Sequence, residues 1–300
     1  LDEQTHYRFL NDWRVPSGER LSEVDITDLT EEYEVSVVPQ DHGHTFRKQL
    51  PAGCEPVRYD SHTGYAFDPT TFKSYQEAIE TRADRVTVRT GPNHHRRPYR
   101  FDGDDFIQFI GWFVTEGSVH WSTSSATAQV KIAQEQGEYH SEIASLLERM
   151  GLNETVKDRP LEFASQVYGH LLEDICGEDS RSKQLPDFVW NLCSEQKQLL
   201  LDILVDGDGN EKGTYYTSSD TLAGDVLRLC LELGITPFYA RREDMWRIST
   251  SQVNSGFNSD RNVRRIDGAS TVYRLTVADY SLVMAGRNGR FQWVGVSGIV

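Results

Sequence analysis

The sequence predicts an α+β fold in which one helix–strand–helix–strand unit occurs twice. Three observations carry this. Phe109-Ile110-Gly111-Trp112-Phe113-Val114-Thr115-Glu116-Gly117 is an apolar helical run closed by an acid and a glycine. Leu201-Asp202-Ile203-Leu204-Val205-Asp206-Gly207-Asp208-Gly209 repeats the pattern, with Asp208 in the place of Glu116. Each run leads into a strand-like stretch and then a helical pattern stopped by glycine, at Met150-Gly151-Leu152 and at Leu233-Gly234-Ile235. An ordered set that occurs twice marks an internal repeat.

Along the chain, Glu31 to Pro39 alternates as a strand does and ends on proline, and Thr71 to Thr81 is a helix in a turn-rich stretch. Arg85 to Thr90 and His94 to Arg100 form the most basic stretch, just before the first acid–glycine run. After that run, Thr127 to Ile132 reads as a strand. Ile143, Leu146, Leu147 and Met150 then recur at helical spacing, and Asn153 to Lys157 is a short strand. After the second run come the strand Thr214 to Ser218 and the helix through Leu222, Val226, Leu229 and Leu233. The strands Ile235 to Arg241 and Trp246 to Thr250 follow. The reading divides the chain at 1–100, 101–265 (repeats 101–190 and 191–265) and 266–300.

A carboxylate at the C-terminal end of a helix sits where the dipole is already negative, so an acid placed there twice points to a divalent cation. The plainer reading, for either run alone, is an amphipathic helix ending on a C′ glycine. A calcium loop starting at Asp206 does not fit. Its sixth position is Glu211 and its twelfth Thr217, where glycine and glutamate are needed; counted from Asp208, the twelfth is Ser219.

Taken together, these residues resemble a known family, the LAGLIDADG homing endonucleases. The two acid–glycine runs resemble that family's paired signatures. Lys183-Gln184-Leu185-Pro186 resembles the Lys-x-hydrophobic-Pro element that precedes the second signature in endonucleases carried by inteins. Val272 to Val277 and Met284 to Gly289 resemble the C-terminal splicing segment of an intein, and Glu31 to Pro39 the part before an endonuclease insert. The resemblance implies a pseudo-twofold LAGLIDADG endonuclease fold: two α-β-β-α-β-type repeats with saddle-shaped sheets straddling DNA, plus flanking, mostly-β, Hint-like segments. The motif helices would pack side by side over Gly111, Thr115 and Gly207, with Ile203 where the family prefers a small residue. It implies Mg²⁺ or another divalent cation held at Glu116, Asp208, Gly117 and Gly209, one acid serving each strand. Lys183 would polarise the attacking water or neutralise the phosphate; otherwise it is a solvated lysine before a proline turn.

Charge works against DNA. Lys+Arg 31 against Asp+Glu 46 gives −15, whereas phosphate binding rests on cations. The candidates that could offset it are Arg96, Arg97 and Arg100 in the basic stretch, and Lys131, Lys157, Arg241, Arg242 and Arg247 on strand-like segments, where arginine can read base edges. Only 7 of the 31 cations are lysine. With a mean hydropathy of −0.55, that surplus of acid suits a halophilic source. The expected partner is double-stranded DNA carrying a long non-palindromic site, bound by a monomer. With no membrane-length apolar run and no signal-peptide pattern, the expected location is cytoplasmic. The four cysteines form no Cys-x-x-Cys pair and are expected reduced. Leu1 is not an initiator, so the chain reads as a piece of a longer product. Leu1 and Trp293 to Ser297 lack the Cys/Ser/Thr nucleophile and the His-Asn pair of a splicing intein. The readings that compete with a nuclease are a non-cutting, maturase-like or regulatory nucleic-acid-binding module and a decaying intein remnant.

Overall fold

The computed structural model describes residues 6–8, 17–60, 64–123, 127–152, 161–250, 256–258, 282–287 and 290–295. The chain forms two compact units. One is Arg20–Val189; the other joins Leu1–Glu19 to Trp190–Val300. The second begins with β1 (His6–Arg8).

The Arg20–Val189 unit opens with β2 (Glu23–Asp25), followed by β3 (Glu34–Pro39), α1 (Gly43–Gln49), β4 (Arg58–Asp60), β5 (Gly64–Phe67), α2 (Pro69–Glu80) and β6 (Ala83–Arg89). β3 to β6 make an antiparallel sheet in the order β4-β5-β3-β6. Val35 stands opposite both Phe67 and Val88, and all three are fully buried, as are Phe72 and Ile79 of α2. Asp68 caps α2 by accepting from the Thr71 amide, and Pro69 follows at a position where its missing N–H costs nothing. β7 (Arg100–Asp102) pairs with β2, so residues read from the sequence as a flank are built into the same unit as the first repeat.

That repeat runs α3 (Gly103–Glu116), β8 (Gly117–Trp121), β9 (Ala128–Ile132), α4 (Glu138–Arg149), β10 (Leu161–Ala164) and α5 (Gln166–Cys176). Asp102 caps α3, accepting from the Asp104 and Asp105 amides, and those two acids sit at the positive end of the dipole. Phe106, Ile107, Phe109, Ile110, Trp112, Phe113 and Val114 are all buried, so α3 is apolar nearly all round and forms the core of its unit. The antiparallel sheet has the order β10-β9-β8. Ala128, Val130, Ile132, Leu161 and Phe163 point to its covered face. α5 lies close there because residue 169 is glycine: a Cβ would come 2.7 Å from that of Ala128. The strand expected at 153–157 lies outside the described residues.

The second unit continues with α6 (Ser194–Asp208), β11 (Thr214–Thr217), α7 (Asp220–Glu232), β12 (Phe238–Arg242), β13 (Met245–Ser249), β14 (Gly256–Asn258), β15 (Leu282–Arg287) and β16 (Arg290–Gly295). Its main sheet has the order β11-β13-β12-β16-β15, and β14 pairs with β1. The β15–β16 pair joins the sheet through the Phe238–Arg290 pair, so the described residues 282–287 and 290–295 continue this sheet; Val272 to Val277 lie outside the described residues. As described, the helix–strand order here is α-β-α-β-β, not the expected α-β-β-α-β.

The two glycine stops are the same device. Gly151 and Gly234 have φ of +65° and +76°. The amides of Leu152 and Ile235 reach back to the carbonyls of Leu147 and Cys230, and those of Gly151 and Gly234 to Glu148 and Leu231. Both are Schellman motifs, in which glycine takes a left-handed conformation costly to other residues. All four cysteines are free and buried. Burial pushes the thiols of Cys176 and Cys230 up to about 12.

Candidate functional site

Glu116 is the last residue of α3 and is half-buried. The carbonyls just before it are satisfied one by one. Thr115 Oγ1 donates to the carbonyls of Gly111 and Trp112, both at 3.2 Å. The Phe113 carbonyl accepts from the Gly117 amide and from Lys183 Nζ, the latter at 3.0 Å. The Glu116 carbonyl accepts from the Ala133 amide at 2.9 Å. Gly117 is extended, with φ −88° and ψ 147°, so it is not a left-handed C′ glycine. Its reason is space: a Cβ would lie 2.4 Å from the Phe113 carbonyl oxygen. Burial raises the Glu116 carboxyl above the ordinary range. An acid whose folded pKa is raised favours the fold below its unfolded pKa, and that contribution is lost as pH rises through the folded value. Ionised Glu116 therefore sits in a place that favours a nearby cation.

Asp208 ends α6 in the same way. Gly209 is also extended, with φ −107° and ψ −167°, and a Cβ on it would meet the Val205 carbonyl oxygen at 2.2 Å. In both copies the glycine lets the chain leave hard against the carbonyl four residues back, directly into β8 after Gly117 and into a turn before β11 after Gly209. Asn210 then shapes the turn, its Oδ1 accepting from the amides of Lys212 and Thr214. Tyr215, fully buried on β11, has a hydroxyl with no hydrogen-bond partner. Burial, and then the charge of Asp208, push its phenol well above its ordinary value. Glu116 and Lys183 belong to one unit, and Asp208 to the other. Among the described residues no three His, Cys, Asp or Glu side chains gather as a ready-made metal site.

The basic candidates separate into three kinds. Arg97 is 4% exposed; its Nε donates to the Ala164 carbonyl and its guanidinium lies over Phe163, while its backbone pairs with Val88. It ties the basic stretch to β10 and presents little of its charge to solvent. Arg100 is drawn into an acidic network, 3.0 Å from Glu80 and 3.3 Å from Asp25. Arg241 lies on the helix-covered face of the second sheet, 3.3 Å from Asp220 and over Trp246. Of these three only Arg97 is buried; Arg100 and Arg241 are exposed and paired with acids. Arg96 is half-buried, and Lys157 lies outside the described residues.

The remaining candidates share open sheet faces. On the first sheet, Lys131 and Gln129 alternate with buried residues, with Ser118 opposite Lys131 and His120 opposite Gln129. Glu162 flanks Lys131 on the other side. On the second sheet, Arg247 stands between Tyr216 and Ala240 in the register, and Arg242 opposite Met245. Arg247 lies 5.8 Å from the Tyr216 ring centre, and Phe238 and Met245 are about equally exposed, at 40% and 41%. Sequence reading misses Gln129, His120, Tyr216, Phe238 and Met245. The signal is present: Tyr215 and Ile248 are apolar members of alternating strands, and their neighbours must face the other way. Replacing Arg97 with alanine should cost about 2–4 kcal/mol in chemical denaturation, since it strips a buried acceptor and a packed stem. The salt dependence of DNA binding should not move.

A family profile described as a LAGLIDADG-like domain matches residues 106–185. No curated protein matches the chain. Glu116, Gly117, Lys131 and Lys183 lie within the matched stretch; Asp208 and the second sheet lie beyond it. Residues 106–185 are thus similar to a LAGLIDADG-like domain, a similarity that supports nucleic-acid binding of the endonuclease type.

Proposed function

We propose that this chain is a site-specific DNA endonuclease that hydrolyses one phosphodiester bond in each strand of a duplex. The observation that carries the reading is the twin helix end. In both Glu116-Gly117 and Asp208-Gly209 the glycine is extended, comes close to the carbonyl four residues back, and follows an acid at the unfavourable end of a dipole. One copy lies inside the LAGLIDADG-like domain and the other in a unit with its own helix–strand–helix sequence. Two such units in one chain suit a monomer and a long non-palindromic site.

A divalent cation such as Mg²⁺ fits the donor set, because a carboxyl that burial keeps reluctant to ionise is stabilised as an anion beside a cation. Glu116 with the Gly117 carbonyl would hold one such cation in its unit, and Asp208 with the Gly209 carbonyl another in its own. When bound, each would lower the pKa of water and stabilise charge on the phosphate and leaving oxygen. The chain's own residues orient the substrate. Lys131, Gln129, Ser118 and His120 offer hydrogen-bonding groups on one open sheet face; Arg242, Arg247 and Tyr216 do so on the other, beside apolar Phe238 and Met245 that suit a thymine methyl. The intein-like order of motifs supports an origin in an inserted element, and the missing Asn before Ser297 makes this stretch unable to splice by asparagine cyclisation.

The deciding experiment incubates the chain with a randomised duplex library, with Mg²⁺ or with EDTA, and sequences the ends produced. Paired breaks at one site, only with metal, are expected. Binding without breaks under every divalent metal would leave the non-cutting module. Alanine at Arg242 and Arg247 should lower affinity and reduce the slope of log K against log salt by roughly one for each phosphate no longer neutralised. The same change at Arg241 should leave the slope alone.

A further inference from the structure

We infer that Lys183 is a positioning residue: its buried ammonium pins the Phe113 carbonyl at the last turn of α3, and it acts on the reaction through that helix end. The inference rests on the nuclease reading only for its kinetic arm. Lys183 is 5% exposed, its Nζ donates to the Phe113 carbonyl at 3.0 Å, and the same ammonium stands 3.8 Å above the Phe113 ring centre. That carbonyl also takes the Gly117 amide, so one oxygen gathers the lysine and the turn that leads from Glu116 into β8.

The loop that delivers Lys183 is built for the purpose. Gly177 leaves α5 at φ +88° and passes so close to Ser182 that a Cβ would meet its carbonyl oxygen at 2.1 Å. Asp179 Oδ1 accepts from the Arg181 and Ser182 amides, the Asp179 carbonyl accepts the Lys183 amide, and Gln184 N bonds back to Cys176. Leu185 is buried just after. A cation fixed at a helix C-terminus offsets the dipole, and aromatic faces attract the same charge when it is desolvated. Both effects act on the last turn of α3, at the carbonyl that also takes the Gly117 amide.

The test uses the full chain with Lys183→Met, which keeps the stem and removes the charge, and Lys183→Arg, which keeps the charge but cannot exchange a proton. Hydrogen exchange at the Gly117 and Ala133 amides and cleavage kinetics with Mg²⁺ are read together. Lys183→Met should speed exchange at both amides and lower kcat roughly a hundredfold with KM nearly unchanged, the cost of a small misplacement. Lys183→Arg should restore protection and keep a tenth or more of the rate. Native protection with cleavage abolished in both variants would mean that Nζ itself does the chemistry and would overturn the inference, as would wild-type protection and rate in Lys183→Met. If Lys183→Met does not fold, Lys183→Arg decides alone: a proton-transferring lysine loses cleavage there. If the wild-type chain cuts nothing, the nuclease reading falls, and the exchange arm still judges the positioning role.

Discussion

Asp208→Asn leaves a folded protein that still binds its DNA and no longer makes double-strand breaks. The amide keeps the shape of the carboxylate but not the charge that would hold a cation, so the rate should fall by several orders of magnitude, on the order of the contribution of metal activation and charge stabilisation together. Binding without metal should hold or tighten, because a negative group facing phosphates is gone. Glu116→Gln should behave likewise, each change stopping cleavage of one strand. Supercoiled plasmid carrying the selected site reads the outcome: nicked circles and no linear product are expected from either single change. Wild-type linearisation by both variants would reduce the carboxylates to helix ends and remove the basis of the nuclease reading.

Gly117→Ala should be the most damaging small change near the site. The new Cβ would lie 2.3 to 2.6 Å from three atoms of Phe113, two of them backbone, so helix or strand must move. A cost of about 2–4 kcal/mol is expected in urea unfolding, at the upper end for overpacking. Gly209→Ala should cost a similar amount against Val205. Gly151→Ala is the control, since its left-handed φ of +65° predicts a loss of only about 1 kcal/mol. Equal costs at Gly117 and Gly151 would return the acid–glycine runs to ordinary helix stops. The displaced carbonyl of residue 117 should also raise the Mg²⁺ needed for cleavage, a second readout that the control leaves untouched.

The elements legible in the sequence are those whose signal is local. Both motif helices, the paired Schellman stops and the strands at Glu34–Pro39 and Thr214–Thr217 announce themselves by periodicity and a glycine. β8 does not, because it is short and opens on Gly-Ser, so pairing with β9 rather than Val119 and Trp121 alone fixes its place. α5 is absent from the sequence reading although Val167, Tyr168, Leu171 and Leu172 behind the Ser165 cap carry its signal. For the site, residue type gives the acids, but not the fate of the arginines. Arg97 is buried because β10, distant in sequence, supplies its acceptor, and Arg241 differs from Arg242 only by the side of the sheet it falls on. Those are tertiary facts, and a composition-based list of cations cannot separate them.

The buried thiols make the molecule its own stopwatch. Cys176 sits in the Arg20–Val189 unit and Cys230 in the other, each sealed from solvent and each with a thiol that stays protonated at neutral pH. Only the thiolate alkylates, so a reagent in the surrounding buffer meets neither while its half is closed. Labelling at one cysteine then times the opening of one half, and labelling at the other times its counterpart. Cofactor or DNA that steadies one half more than the other would be recorded as a difference between two masses, with no dye or tag added to the chain.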